Sequence, residues 1–331
     1  MLAQVSESKL SEFAIIERYF KRPVAGVELG IGDDAAVISP TPDMQLVVSV
    51  DTLVSGRHFF ENTNPYKLGQ KSLAVNLSDM AAMGAKPRWV MLSLTLPENL
   101  IESHATWVNE FANGFHELAQ VYQIALIGGD TTSGALNICV QIIGEIEKKR
   151  CLRRDGAKPD DDIWVSGYLG DAALALKHLL QEIRLTPREI EFCLPALLTP
   201  TARVDLGQHL VGLAHSAIDI SDGLLADLGH VLTSSMCAAE INLEAVPCSA
   251  VMKQYMPSSL ALECLLAGGD DYELCFTAPK KNRSKIERMT QSLPVPLVII
   301  GEIKQGAGLS VIDTEGKEVT VVKRGYEHFT S

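Results

Sequence analysis

Aspartates stand at the ends of this chain's apolar runs, in short motifs far apart in sequence and each bordered by Gly, Ser or Thr. In chain order they are GIGDDAAV with Asp33 and Asp34, SVDTLVSGRHF with Asp51, NLSDMAAMG with Asp79, LIGGDTTSG with Asp130, and AIDISDG with Asp219 and Asp222. One acidic turn is ordinary solvated surface. A whole series of such turns points instead to carboxylates converging as hard oxygen ligands, since Mg²⁺ takes one or two of them while bridging to substrate phosphates.

At 331 residues the chain exceeds the usual span of one core, and its 47% apolar content fills two. A formal charge of −12 argues against nucleic acid or an anionic membrane as partner. If the ligand is a polyphosphate, cations must lie between it and so acidic a protein. The seven cysteines form no CxxC pair and are odd in number, which reads as reduced, mostly buried thiols. The N-terminal run MLAQVSESKLSEFAIIERYF distributes charges through its apolar positions as an amphipathic helix does, without the apolar core of a signal peptide. No uncharged stretch reaches membrane-spanning length. The expectation is a soluble protein of the cytoplasm.

The pattern of apolar runs predicts a strand over 44–52 ending at Asp51, and a helix that starts at Asn64-Pro65 and stops at Gly84 with Asp79 inside it. A strand follows at 89–96, a helix over 97–122, and strands at 124–127 and 136–146. The charged segment KKRCLRRDGAKPDDD, residues 148–162, is the best domain boundary. Beyond it come a strand at 163–167, a helix over 170–180, a strand-turn-helix in AIDISDGLLADLGHVL, and strands in LCFTAP, LVIIGEI and LSVID. Alternation of this kind favours an α/β or α+β fold with helices covering sheet.

Each motif has a plainer reading. GIGDDAAV is also ordinary turn chemistry, and Asp51 with Ser49 and Thr52 nearby could simply cap a helix. Asp79, in an Ala- and Met-rich helix, is either solvated or paired with a cation; the second is favoured because perturbed carboxylates gather at sites. LIGGDTTSG reads as a loop whose backbone N–H groups could cradle phosphate beside a metal ligand. LAGGDDYELCF adds Asp270 and Asp271 ahead of a strand. There is no Walker loop, no HRD or DFG kinase signature, no HExxH and no GxSxG elbow, so the usual nucleotide, zinc and serine chemistries are disfavoured.

Taken in order, these motifs resemble the thiamine-monophosphate kinase family, within the superfamily that includes aminoimidazole-ribonucleotide synthetase. The resemblance runs from FAIIERYF through ELGIGDDAAV, SVDTLVSGRHF, KSLAVNLSDMAAMGAKP, LIGGDTT, RDGAKP, AIDISDGL and GGDDYELCF to RGYEHF. It implies ATP-dependent conversion of thiamine monophosphate to thiamine diphosphate. It also implies a two-domain synthetase-like α/β (α+β) fold, with residues 1–149 the N-terminal ATP/Mg-binding domain, which pairs into a dimeric β-barrel. Residues 150–331 would be the C-terminal α/β domain completing the nucleotide and substrate cleft. Several Mg²⁺ ions would be held by Asp34, Ser49, the Val50 carbonyl, Asp51, Asp79, Asp130, Asp219 and Asp222. Gly129, Asp130, Arg154 and Ser221 match ATP-contacting positions, and His58, Asp270 and Tyr326 match substrate-contacting ones. The chain carries Asp270 where the family commonly has Glu.

No dedicated catalytic base is implied, because a phosphate monoester with a second pKa near ~6 is already largely ionised at neutral pH. An aminoimidazole-ribonucleotide synthetase-like enzyme is the nearest rival reading, and a non-catalytic nucleotide- and Mg²⁺-binding regulatory module is another. The cysteine-dependent relatives, selenophosphate synthetase and the hydrogenase-maturation dehydratase, are disfavoured by the lack of Cys near the N-terminus and in RGYEHFTS.

Overall fold

The computed structural model describes residues 11–23, 26–102, 106–321 and 324–329. The chain divides into two compact units, one comprising Met1–Asn76 and Pro87–Glu145, the other Leu77–Lys86 and Ile146–Ser331. Of the amphipathic helix expected at the N-terminus, residues 1–10 lie outside the described residues. The rest is a helical turn, Glu12–Ile15, running into a π-helical turn, Ile16–Phe20.

In the first unit, strands β1 (Met44–Val54), β2 (Lys86–Leu96), β3 (Ala125–Ser133) and β4 (Asn137–Glu147) form an open sheet in the order β1-β4-β2-β3. β1 is an edge, and side chains alternate across it. Leu46, Val48, Val50 and Val54 are 44%, 55%, 58% and 38% exposed, while Ser49 and Asp51 fall on the opposite face. Asp51 therefore sits within β1 and not at its end, because Thr52 and the apolar Leu53 and Val54 continue the extended run.

The helix Pro65–Met83 has the expected bounds. The Lys67 N–H donates to Asn64 Oδ1 at 3.0 Å, which meets one of the unpaired donors of a helix start, and Gly84 ends the run at φ +68°. It packs tightly on the helix Thr106–Val121: a Cβ on Gly69 would fall 2.1 Å from the Phe111 carbonyl oxygen, and one on Gly114 would fall 1.9 Å from that of Tyr66. Substituting either glycine would push the helices apart and open the core around Leu68, Leu73, Phe111 and Phe115. The single helix expected over 97–122 is described as Glu98–Glu102 and Thr106–Val121, with 103–105 outside the described residues.

The second unit holds β5 (Asp161–Ser166), β6 (Ser216–Ile220), β7 (Ala238–Asn242), β8 (Glu273–Pro279), β9 (Leu297–Lys304) and β10 (Gly308–Ile312), in the order β10-β7-β9-β5-β8-β6. β5 is antiparallel to both β8 and β9, whereas β7 and β10 run parallel. Apolar residues of the sheet and of the helix Leu224–Ser235 make one core, among them Ile163, Ile218, Leu228 and Ile241. A second gathers around the helices Asp171–Leu179, Pro187–Leu198 and Ser259–Ala267. Two acids at the start of β5 are buried but paired, Asp161 with His215 at 2.8 Å and Asp162 with Arg283, whose Nε donates at 2.6 Å. Pairing is what makes such burial tolerable.

All seven cysteines are free thiols. Among the described residues no helix is long and apolar enough to cross a membrane.

Candidate active site

In the first unit, Asp34, Gly129 and Asp130 line one cavity of about 810 Å³, whose apolar wall includes Phe13, Ile16, Met91 and Leu126. The Asp34 N–H donates to Asp33 Oδ1 at 2.9 Å, which tightens the GIGDD turn. The segment carrying Asp130 is not the loop expected of LIGGDTTSG. It is strand β3, registered against β2 so that Gly129 pairs with Leu92 and Asp130 with Ser93. The reason is local. Gly129 adopts φ +148° where a Cβ would meet the Leu92 carbonyl oxygen at 1.8 Å, so the glycines let the backbone stay in the ladder past a register shift at Val90/Met91.

Ser49, Val50 and Asp51 lie together on β1, away from that cavity's lining. The Val50 side chain points to the opposite face from those of Ser49 and Asp51. His58 Nδ1 accepts the Val54 N–H at 3.0 Å, which in the neutral ring leaves the proton on Nε2.

The second unit gathers its own candidate residues on the turn between β6 and the helix Leu224–Ser235. Asp219, the fourth residue of β6, is buried and accepts the Ser78 hydroxyl at 2.8 Å. Burial, and then the negative charge of Asp79, push its carboxyl up to about 7. Asp222 follows in the turn. Burial raises its carboxyl too, opposed by His230 and His328, while Asp270 raises it further and Arg154 pulls it down. These groups are therefore gathered around Asp222. Arg154 is presented by the short turn Arg154–Gly156, whose Arg154 carbonyl accepts the Ser235 hydroxyl at 2.8 Å.

The backbone of the Ser221–Gly223 turn is almost fully engaged. The N–H groups of Ser221, Asp222 and Gly223 all donate to Asp227 Oδ2, each at 3.0 Å. Burial pushes the Asp227 carboxyl up to about 7 against those three donors. On the carbonyl side, Ser221 accepts the Asp270 N–H at 2.9 Å and Asp222 accepts the Tyr326 N–H at 3.0 Å. Asp270 is held at φ +68° by this bond and by the Tyr272 hydroxyl, which donates to its Oδ1 at 2.9 Å. Behind it, Asp271 Oδ1 accepts the Gly170 N–H at 2.9 Å, and burial raises its carboxyl. Glu273 is gripped by Arg203, whose Nε donates at 2.6 Å, and by the Ser166 hydroxyl at 2.5 Å.

Within this unit the structure thus brings together Arg154, Asp219, Ser221, Asp222, Asp270 and Tyr326, with Asp79 close to Asp219. Sequence reasoning passed over Ser78, Asp227, His230 and His328. A signal for Asp227 was present, since an acid in the first turn of a helix after a Gly-ended turn suits its unpaired N–H groups.

Among the described residues no three His, Cys, Asp or Glu side chains stand close enough to cage a metal ion by themselves. The crowding that raises the Asp219 carboxyl is also what a divalent cation would relieve.

Two family models match the chain: the N-terminal domain of AIR synthase related protein over residues 32–146, and its C-terminal domain over residues 158–314. The thiamine-monophosphate kinase of Escherichia coli (strain K12) is 42% identical over 325 residues, 97% of this chain and 98% of its own length. That of Bacillus subtilis (strain 168) is 33% identical over 329 residues, 97% of this chain and 100% of its own. Among solved structures, thiamine-monophosphate kinase from Stenotrophomonas maltophilia K279a superposes with TM-score 0.81 at 44% identity, covering 95% of this chain and 98% of that one. AaThiL complexed with AMPPCP and TMP gives 0.76 at 35% identity, covering 90% and 92%.

Proposed function

The chain belongs to the AIR synthase related family, and from that premise we propose that it is a thiamine-phosphate kinase, transferring the γ-phosphoryl group of ATP to thiamine monophosphate to give thiamine diphosphate and ADP. The observation that carries this reading is the match, over 90% of this chain, to a relative solved with an ATP analogue and thiamine monophosphate. The reaction would be the last step in making thiamine diphosphate.

In this reading Mg²⁺ is held by Asp34, Ser49, the Val50 carbonyl, Asp51, Asp79, Asp130, Asp219 and Asp222. Gly129, Asp130, Arg154 and Ser221 contact ATP, and His58, Asp270 and Tyr326 contact thiamine monophosphate. Residues 1–149 act as the nucleotide and dimerisation domain and 150–331 as the substrate-completing domain. The chain works as a cytoplasmic homodimer. The exposed apolar row Leu46, Val48, Val50 and Val54 on the edge strand β1 supports pairing through the first unit.

When bound, Mg²⁺ neutralises phosphate charge and so lowers the barrier to bringing two anions together. The protein's own groups do the rest by position. Asp51 on β1, Asp130 on β3 and Asp219 on β6 are each fixed by their own strand, so none of these carboxylates sits on a mobile arm. Arg154 adds a permanent positive charge beside Asp222. Asp270 offers its carboxylate to the thiazolium cation, and Tyr326 offers an exposed ring. No side chain needs to remove a proton, since the acceptor phosphate is already ionised.

The test is ADP release from MgATP with thiamine monophosphate as acceptor. Turnover that requires thiamine monophosphate supports the reading. ATP turnover indifferent to thiamine monophosphate would indicate a synthetase-like enzyme instead, and nucleotide binding without turnover would indicate a regulatory module.

A further inference from the structure

The turn Ser221–Gly223 lies at the N-terminus of the twelve-residue helix Leu224–Ser235. Backbone N–H groups in such a place commonly receive a phosphate. Here they do not point to open space, because all three converge on a single oxygen of Asp227, a residue of the same helix. The acceptor at this helix terminus is internal. What the turn can show a ligand is its side chains, Ser221 and Asp222. The two carbonyls of the same turn carry Asp270 and Tyr326 through their N–H groups, at 2.9 Å and 3.0 Å.

We propose that Asp227 is a positioning residue for this reaction: its carboxylate sets the Ser221–Gly223 turn and thereby places both the metal- and nucleotide-facing side chains and the two substrate-facing residues. Three N–H groups sharing one oxygen fix the turn from one side, and the carbonyl bonds to Asp270 and Tyr326 transmit that placement to the thiamine end. The side chain that makes these bonds is itself immobilised, being 3% exposed on a helix whose Leu224, Leu228 and Val231 are buried in the core. Asp227 touches neither reactant. The inference rests on the assignment of Asp222 to metal, Ser221 to ATP, and Asp270 and Tyr326 to thiamine monophosphate.

The experiment compares the wild-type protein with Asp227→Asn and Asp227→Glu. Mn²⁺ affinity in the presence of AMPPCP is followed by electron paramagnetic resonance, KM for thiamine monophosphate by steady-state kinetics, and folding by thermal melting. Asp227→Asn, nearly isosteric but uncharged, is expected to weaken Mn²⁺ binding about tenfold and to raise KM several-fold at a temperature well below its melting point. Asp227→Glu, which keeps a carboxyl group, is expected to recover most of both losses. A role in stability alone would lower the melting point and leave both readouts within twofold, which would overturn the proposal. Collapse of the fold in Asp227→Asn, or a loss in Asp227→Glu as large as in Asp227→Asn, would overturn it too. Failure of the wild-type protein to bind Mn²⁺ with AMPPCP would instead refute the functional reading beneath it.

Discussion

The hydroxyl of Ser78 donates to Oδ2 of Asp219 at 2.8 Å, joining a helix to the end of β6 across 141 positions of sequence. The bond favours the ionised carboxylate at a place where burial and Asp79 oppose ionisation. Ser78→Ala should therefore lower folding stability at pH 8 by about 1–2 kcal/mol, the cost of stripping a donor from a buried acid. Ser78→Thr, which keeps a hydroxyl, should lose less. Urea unfolding in Mg²⁺-free buffer measures both, and equal losses would show that packing, not the hydrogen bond, is what Ser78 supplies.

His116 gives the first unit a defined acid sensitivity. Burial, aided by the Arg22 charge, lowers its imidazole to about 4 even though its Nε2 lies 3.3 Å from the Tyr19 carbonyl. In the unfolded chain the ring titrates near ~6.5, so between those values the unfolded state binds the extra proton. The stability His116 contributes is complete above about pH 6.5 and is lost as the pH falls toward about 4. The loss should be about 2 kcal/mol after allowing for partial solvent access. His116→Gln should flatten this part of the pH profile in denaturant titrations; an unchanged slope would assign the acid sensitivity elsewhere.

At the proposed substrate end, Tyr326 presents a ring 42% exposed whose backbone is pinned to Asp222. Cation–π attraction of roughly 0.5–2 kcal/mol implies that Tyr326→Ala raises KM for thiamine monophosphate by roughly tenfold, with KM for ATP within about twofold. Asp270→Glu restores the commoner family residue and should leave kcat/KM within about threefold, although the φ of +68° must be kept. Equal effects of Tyr326→Ala on both substrates would move the thiamine subsite elsewhere.

The exposed row on β1 predicts a monomerising substitution. In the proposed homodimer, Val48→Lys, at a position 55% exposed, would set like charges against each other across a two-fold interface and should halve the mass seen by light scattering at micromolar concentration. Met236→Lys, 87% exposed in the second unit, should leave the mass unchanged. A dimer that survives Val48→Lys would place the interface on another surface.

How much of this was legible in the sequence depended on whether the signal was local. The helix Pro65–Met83 was readable because Asn64, Pro65 and Gly84 mark its ends. The β6-turn-helix was readable because Gly223 separates two apolar runs of different period. Asp130 was misplaced in a loop because two glycines usually signal a turn, whereas here they let β3 hug β2. The β1 row stayed hidden because Val47 and Leu53 put apolar residues on the other face as well, masking the period of two. Asp227 carried only the general signal of an acid in a first helical turn, because its partners are backbone N–H groups whose convergence on one oxygen residue identity does not specify.

The most direct measurement of the central claim is to incubate the protein with Mg²⁺, thiamine monophosphate and ATP labelled with ³²P at the γ position, then to separate the products. In-line transfer to the acceptor phosphate predicts label recovered in thiamine diphosphate, in a one-to-one ratio with ADP formed and strictly dependent on thiamine monophosphate. Label appearing only as inorganic phosphate, or no thiamine diphosphate while ATP is consumed, would contradict it.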